Sequence, residues 1–253
     1  VKVIPYKEEL GWRWDMDELN EAVTKDTKMI LECNPNNPTG RLYDLKEQKA
    51  LCEVASDADA VLLADESFRG LELDAPSMSS TPFMNLYYNA VSTASMSKPF
   101  TADGIRVGWA ISNNRSLIEK ASRVKGISVE HVGGWDVIIS WAADDPKTFK
   151  RMVSAHRKDA IEKIAVLADW MKKQSFFTSW YKPDCGYLTF PGWTYDIGAI
   201  DFLNAAWEAK KIGFMSGTVY GVEKHVRFGT GRCTMADFKT SLGLLTEFLE
   251  RFK

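Results

Sequence analysis

The sequence is poor in the residues that build metal centres and disulfide scaffolds. Its four cysteines, Cys33, Cys52, Cys185 and Cys233, lie far apart and include no CxxC pair. That pattern fits reduced, mostly buried thiols in a cytoplasmic protein. The three histidines, His131, His156 and His225, lack metal-ligand spacing and are expected to be surface or structural residues, so no metal is expected. No apolar run is long enough to span a bilayer, and the opening residues are not expected to be a signal peptide. A formal net charge of −2, without a basic patch interleaved with aromatics, favours neither nucleic acid nor an anionic membrane. Internal repeats and low-complexity tracts are absent too. What remains is a globular composition, 45% hydrophobic and 26% charged over 253 residues, enough for one large domain or two ordinary ones.

The first half alternates strand and helix signals. "VKVIPY" reads as a strand, and Asp15 as the cap of a helix through "MDELNEAV", with Glu18 at the capping-box position. "KMILEC", "AVLLAD", "NAVSTAS" and "RVGWAIS" are short apolar runs, and "DLKEQKALCEVASD" carries apolar residues at helical spacing. Continuous apolar strands separated by helices imply a mostly parallel sheet covered on both faces, an α/β architecture. From about Ser116 the pattern changes. "RSLIEKASRVKG" and the stretch from Pro146 to Lys173 read as helices, the second with Phe149, Met152, Val153, His156, Ile161, Ile164, Leu167 and Met171 near one face as a packing seam. "GYLTFPGW", "IGFMSG" and "HVRFGTG" read as short strands before a closing amphipathic helix. The expected division is a large domain over 1–144 and a smaller α+β domain over 145–253.

Four stretches carry chemistry. "NPNNPTG", Asn34 to Gly40, leaves an apolar strand through a stiff, amide-rich turn that neither a helix nor a central strand accommodates. "LLADES" ends a strand in Asp65 and Glu66, where α/β sheets bind ligands; an acid there is a turn former or the partner of a cationic ligand atom. "STASMSKPF" sets Lys98 beyond another strand end among small residues. Such a lysine is a solvated charge or, once desolvated, a carbonyl nucleophile. "DGIRVGW" places Arg106 between Gly104 and Gly108, in what reads as an apolar strand, where an arginine calls for a bound anion such as phosphate. Together these parts suit a phosphorylated heteroaromatic aldehyde.

The motifs "NPNNPTG", "ADESF", "SMSKPFTADGIRVGW" and "VRFGTGR", in that order, resemble fold-type I pyridoxal-phosphate enzymes of the class I/II aminotransferase family. The first two lean towards the branch that holds histidinol-phosphate aminotransferase and threonine-phosphate decarboxylase. The resemblance implies pyridoxal 5'-phosphate as cofactor, an amino acid and a 2-oxo acid as substrates, and a homodimer. It makes Lys98 the lysine of the internal aldimine and Asp65 the partner of the pyridine nitrogen. Asn37 becomes the amide that donates to the cofactor's phenolic oxygen, so the prolines serve to aim it. Ser95 and Arg106 match the phosphate-binding residues, with Ser97 beside them. Arg227 matches the clamp on the substrate α-carboxylate, with Arg232 a weaker candidate.

Two departures from the family pattern stand out. Phe68 occupies a cofactor-side position where many relatives have tyrosine, which leaves Asn37 to hold the cofactor oxygen alone. The chain opens at Val1, without the N-terminal segment that in relatives cradles the phosphate and stacks on the ring, so it is expected to be a fragment of a longer enzyme with weak cofactor binding by itself. The same motifs also accommodate a decarboxylase, lyase or cyclising synthase, or a non-catalytic relic. Most of the nine tryptophans, Trp12, Trp14, Trp109, Trp135 and Trp193 among them, are expected to pack the core.

Overall fold

A computed structural model describes residues 1–128, 134, 137 and 144–252; His131 and Trp135 lie outside the described residues. The chain forms two compact units, Val1–Asn36 with Arg41–Arg157, and Asn37–Gly40 with Lys158–Lys253.

In the first unit the chain runs through α1 (Met16–Ala22), β1 (Met29–Cys33), α2 (Leu45–Asp57), β2 (Val61–Asp65), β3 (Ala90–Ser95), β4 (Gly108–Ile111) and α3 (Arg115–Ser128). The four strands lie in sequence order in one sheet, β1, β2 and β3 parallel and β4 antiparallel to β3. β2 is apolar up to its terminal Asp65 because it lies between two neighbours: Leu62 and Ala64 are fully buried and its other residues half-buried. Leu51 and Ala55 of α2 pack with Leu62, Ala64 and Phe83 in one cluster. Asp44 starts α2 with a full capping box, its carboxylate accepting from Glu47 N–H and the Glu47 carboxylate accepting from Asp44 N–H, both at 2.8 Å. The expected box on α1 is only half made. Asp15 caps it, accepting from Asp17 N–H at 2.9 Å, while Glu18 turns away to pair with Lys7 at 2.8 Å.

"VKVIPY" is not a strand. Its residue types suit a strand, but a strand also needs a neighbour to pair with. Here Lys7 pairs instead with nearby Arg13 across a short 3-10 turn, Glu8–Leu10, closed by Gly11 at φ 68°. Ile4 and Tyr6 still pack on the core, and Val1 and Val3 are exposed.

The helix α4 (Pro146–Met171) crosses the division between the units. Val153, His156, Ile164, Leu167 and Met171 are buried along its seam, whereas Met152 is exposed. The second unit continues with β5 (Leu188–Thr189), α5 (Ala199–Lys210), β6 (Met215–Ser216), β7 (Val226–Gly229) and α6 (Met235–Leu249). Its antiparallel sheet has the order β5-β7-β6. The core is aromatic: Phe176 stacks on Phe202 at 5.1 Å and on Tyr195 at 5.0 Å, and Phe228 stacks on Phe214 at 4.6 Å. Trp12, Trp14 and Trp193 are buried, in line with the packing role expected of them, and Trp193 satisfies its indole N–H on the Ile197 carbonyl at 2.9 Å. None of the four cysteines forms a disulfide. Among the described residues no helix is long and apolar enough to cross a membrane.

Candidate functional site

Two clusters hold the residues singled out above. The first lies at the carboxyl ends of β2 and β3. These strands run parallel with Asp65 opposite Thr93, so Asp65, Thr93 and Ser95 share one face of the sheet. Asp65 anchors two loops: its carbonyl accepts from Asn34 N–H and its Oδ1 from Ser67 N–H, both at 3.0 Å. The adjacent acid, Glu66, points into the protein. It is buried, accepts from Phe83 N–H at 2.8 Å and Ser92 Oγ–H at 2.7 Å, and has its pKa raised by burial. Strand alternation therefore divides the two acids, leaving Asp65 half-buried where Glu66 is buried.

Lys98 lies three residues beyond the end of β3 and is half-buried. Its turn is held from both sides, because Met96 and Phe100 are buried together with Val107. Met96 N–H donates to the Val107 carbonyl at 3.0 Å, and Ser97 N–H donates to Ser95 Oγ at 3.3 Å. Gly108 opposite Ser95 permits the close return of β4: a Cβ there would lie 2.9 Å from the Ala94 carbonyl oxygen. Phe68 is buried in the turn after β2.

Arg106 differs from its expected setting. It does not lie inside a strand but closes a short 3-10 turn, Asp103–Ile105, in the left-handed conformation at φ 62°, and it is exposed. β4 begins only at Gly108, because the chain must first reverse direction to run antiparallel to β3. Arg106 Nη1 donates to the Asp103 carbonyl at 3.3 Å.

The second cluster is Asn37, Arg227 and Tyr220. Asn34 to Asn36 of the amide-rich loop group with the first unit, and Asn37 to Gly40 with the second. The loop's end is tightly fixed. Gly40, at φ 71°, accepts at its carbonyl from Asp184 N–H at 2.9 Å and Cys185 N–H at 3.0 Å, and a Cβ on it would lie 2.4 Å from Pro183 Cβ. Arg227 projects from β7, opposite Met215 of β6. Its Nη1 donates to Asn37 Oδ1 at 3.0 Å and to the Tyr220 hydroxyl at 2.6 Å. A guanidinium can only donate, so the amide's oxygen must face it. The Nδ2 end of Asn37 is thereby left on the side away from the Arg227 Nη1 contact as a donor. Tyr220 was not among the residues picked out from the sequence. The available signal was an aromatic residue just before a glycine, in the turn that precedes "VRFGTGR". Arg232 is exposed, two residues before Thr234, the N-cap of α6.

Residues 1–244 match the model of the family described as aminotransferase class I and II. The aspartate aminotransferase of Bacillus subtilis is 26% identical over 258 residues, covering 97% of this chain and 62% of that protein. Capreomycidine synthase of Streptomyces vinaceus is 23% identical over 259 residues, covering 97% of this chain and 61% of that protein. The crystal structure of a PLP-dependent aminotransferase from Streptococcus suis superposes with a TM-score of 0.87 at 26% identity, covering 98% of this chain and 64% of that one. The chain thus spans about three fifths of the length of these relatives. With the family match running from Val1 through most of the closing helix, the chain belongs to the class I and II aminotransferases.

Proposed function

We propose that this chain carries the cofactor-anchoring and carboxylate-binding residues of a pyridoxal-phosphate-dependent aminotransferase, which moves an amino group from an amino acid to a 2-oxo acid. The carrying observation is the placement of Lys98 just past the end of β3, with Asp65 at the end of the adjacent parallel strand. The donor set suits pyridoxal phosphate by charge and type: an acid for a protonated ring nitrogen, a primary amine for an aldehyde, and two hydroxyls and a guanidinium for a phosphate.

When bound, the cofactor supplies an electron sink for the pair left behind as a Cα bond breaks. In this reading Lys98 Nζ is the amine that would hold the cofactor's aldehyde, and it would move the proton at the substrate Cα. Asp65 would hold the ring nitrogen protonated; removing one partner of a buried charge pair of this kind costs ~3–5 kcal/mol. Asn37 Nδ2 would donate to the phenolic oxygen, and Phe68 has no hydroxyl to act as a second donor. Ser95, Ser97 and Arg106 would bind the phosphate, and Arg227 would bind the substrate α-carboxylate through a two-pronged hydrogen bond. We assign the cofactor domain to 1–144 and the small domain to 145–253, in a cytoplasmic homodimer.

The test is the visible spectrum of the purified chain with added pyridoxal phosphate, beside Lys98→Ala. A band that requires Lys98 and changes on addition of an amino acid is the expected result. A spectrum identical in the two proteins overturns the assignment of Lys98. A second reading, a synthase or lyase on the same scaffold, draws support from the similarity to capreomycidine synthase. Product analysis separates them: a 2-oxo acid marks transamination, whereas carbon dioxide or an eliminated group marks the alternative.

A further inference from the structure

Arginine is a long, flexible side chain with two ways to grip a carboxylate, end-on through both terminal nitrogens or side-on through Nε and one of them. In the second unit, Arg227 has that choice removed. Its Nη1 is engaged by Asn37 Oδ1 at 3.0 Å and the Tyr220 hydroxyl at 2.6 Å, and its Cζ lies 5.9 Å from the centre of the Tyr220 ring. The pair left to act together is Nε and Nη2, the side-on fork.

Tyr220 is itself well anchored. It ends a 3-10 turn, Gly217–Tyr220, that Ser216 caps through Thr218 N–H and that Gly221 closes at φ 74°. The turn can form only with glycine at its start, since a Cβ on Gly217 would lie 2.4 Å from the Val222 carbonyl oxygen. Its ring meets the buried Phe190 edge-on, with centroids 5.7 Å apart at 81°. The hydroxyl accepts from Arg227, and its own proton points to Met215 Sδ at 3.1 Å or Asn37 Oδ1 at 3.4 Å. One hydroxyl therefore touches both partners of the Arg227–Asn37 contact, held by a turn rather than by a mobile loop.

We propose that Tyr220 is a positioning residue for the substrate carboxylate: its hydroxyl pins Arg227 Nη1 against Asn37 and so presents Nε and Nη2 as a ready-made side-on fork. The inference rests on the reading of Arg227 as the carboxylate clamp. A fork fixed beforehand loses less freedom when the carboxylate arrives, so the contribution appears in affinity.

Tyr220→Phe removes the hydroxyl and keeps the ring on Phe190 and over Arg227. Sodium propionate, the simplest carboxylate probe, is titrated by ligand-observed NMR into the chain, Y220F, R227A, R227K and the Y220F/R227K double variant. Y220F is expected to bind about tenfold more weakly than the parent, with R227A reduced to the level of neutral propionamide. In the R227K background, which has no fork to aim, Y220F is expected to add nothing further. If R227A loses binding but Y220F equals the parent, the proposal falls and the clamp reading stands. If the parent binds no better than R227A, the clamp reading falls and takes the proposal with it. If Y220F weakens binding equally in the R227K background, or lowers the melting temperature by more than about 4 °C, its role is structural and the proposal is overturned.

Discussion

Glu32 is a carboxylate that faces tyrosines in a closed part of the first unit. It is buried on β1, and its Oε1 accepts from Tyr6 O–H, from Tyr43 O–H at 3.3 Å and from Cys33 N–H at 2.8 Å. Burial outweighs these donors and pushes its pKa from 4.5 up to about 7, and the same surroundings raise the pKa of both tyrosines. The folded state therefore holds this proton more tightly than the unfolded chain does. The stability linked to it is fully present below pH 4.5 and is lost as the pH rises to about 7, a fall on the order of 3 kcal/mol. Glu32→Gln keeps an acceptor oxygen in place and removes the titration. Urea midpoints measured from pH 4.5 to 8 are expected to decline for the parent chain and to lose most of that slope in E32Q. Parallel slopes in the two proteins would assign the pH dependence to other groups. The sequence marked Lys98, Asp65 and Asn37 because each lies in a short motif with its own local logic. Tyr220 was not legible in that way, since its meaning depends on Asn37, 183 residues earlier in the chain.

Among the elements, α2 shows what local sequence does determine. Asp44 and Glu47 satisfy each other's backbone N–H groups, and Glu47 also pairs with Arg13. Asp44→Ala removes the cap and is expected to cost about 1 kcal/mol, or a melting temperature lower by about 2–4 °C, whereas Asp44→Ser should restore most of it. A melting curve for each variant checks this, and an unchanged D44A would mean that packing on Leu62 holds α2 without help. β2 was legible for a similar reason: a strand lying between two parallel neighbours reads as a near-continuous apolar run, here Val61 to Ala64. "VKVIPY" and the setting of Arg106 were not. Both are decided by which neighbour a backbone segment finds, and in each case the chain turns back on itself through a short 3-10 turn. Residue type records a suitable strand but not its partner.

At the scale of the whole molecule, the four-stranded sheet ends in β1 on one side and β4 on the other. These outer strands carry large exposed apolar side chains, Leu31 at 70%, Met29 at 54% and Ile111 at 46% exposure. Sheet edges of this kind template pairing with another chain unless charge or proline interrupts them. β1 carries a single acid, Glu32, which is buried, so none of its charge faces the edge. A net charge of only −2 over 253 residues supplies little long-range repulsion to keep copies apart. Concentration-dependent self-association of the chain is therefore expected, driven by these strands. Leu31→Lys places a charge on the outer strand at a position so exposed that folding stability should change by no more than about 0.5 kcal/mol. Sedimentation velocity across a hundredfold range of concentration should show the parent chain's coefficient rising with concentration and that of L31K rising less. Equal concentration dependence in the two proteins would move the contact away from β1, and a parent coefficient that stays constant would mean the outer strands are not sticky enough to matter.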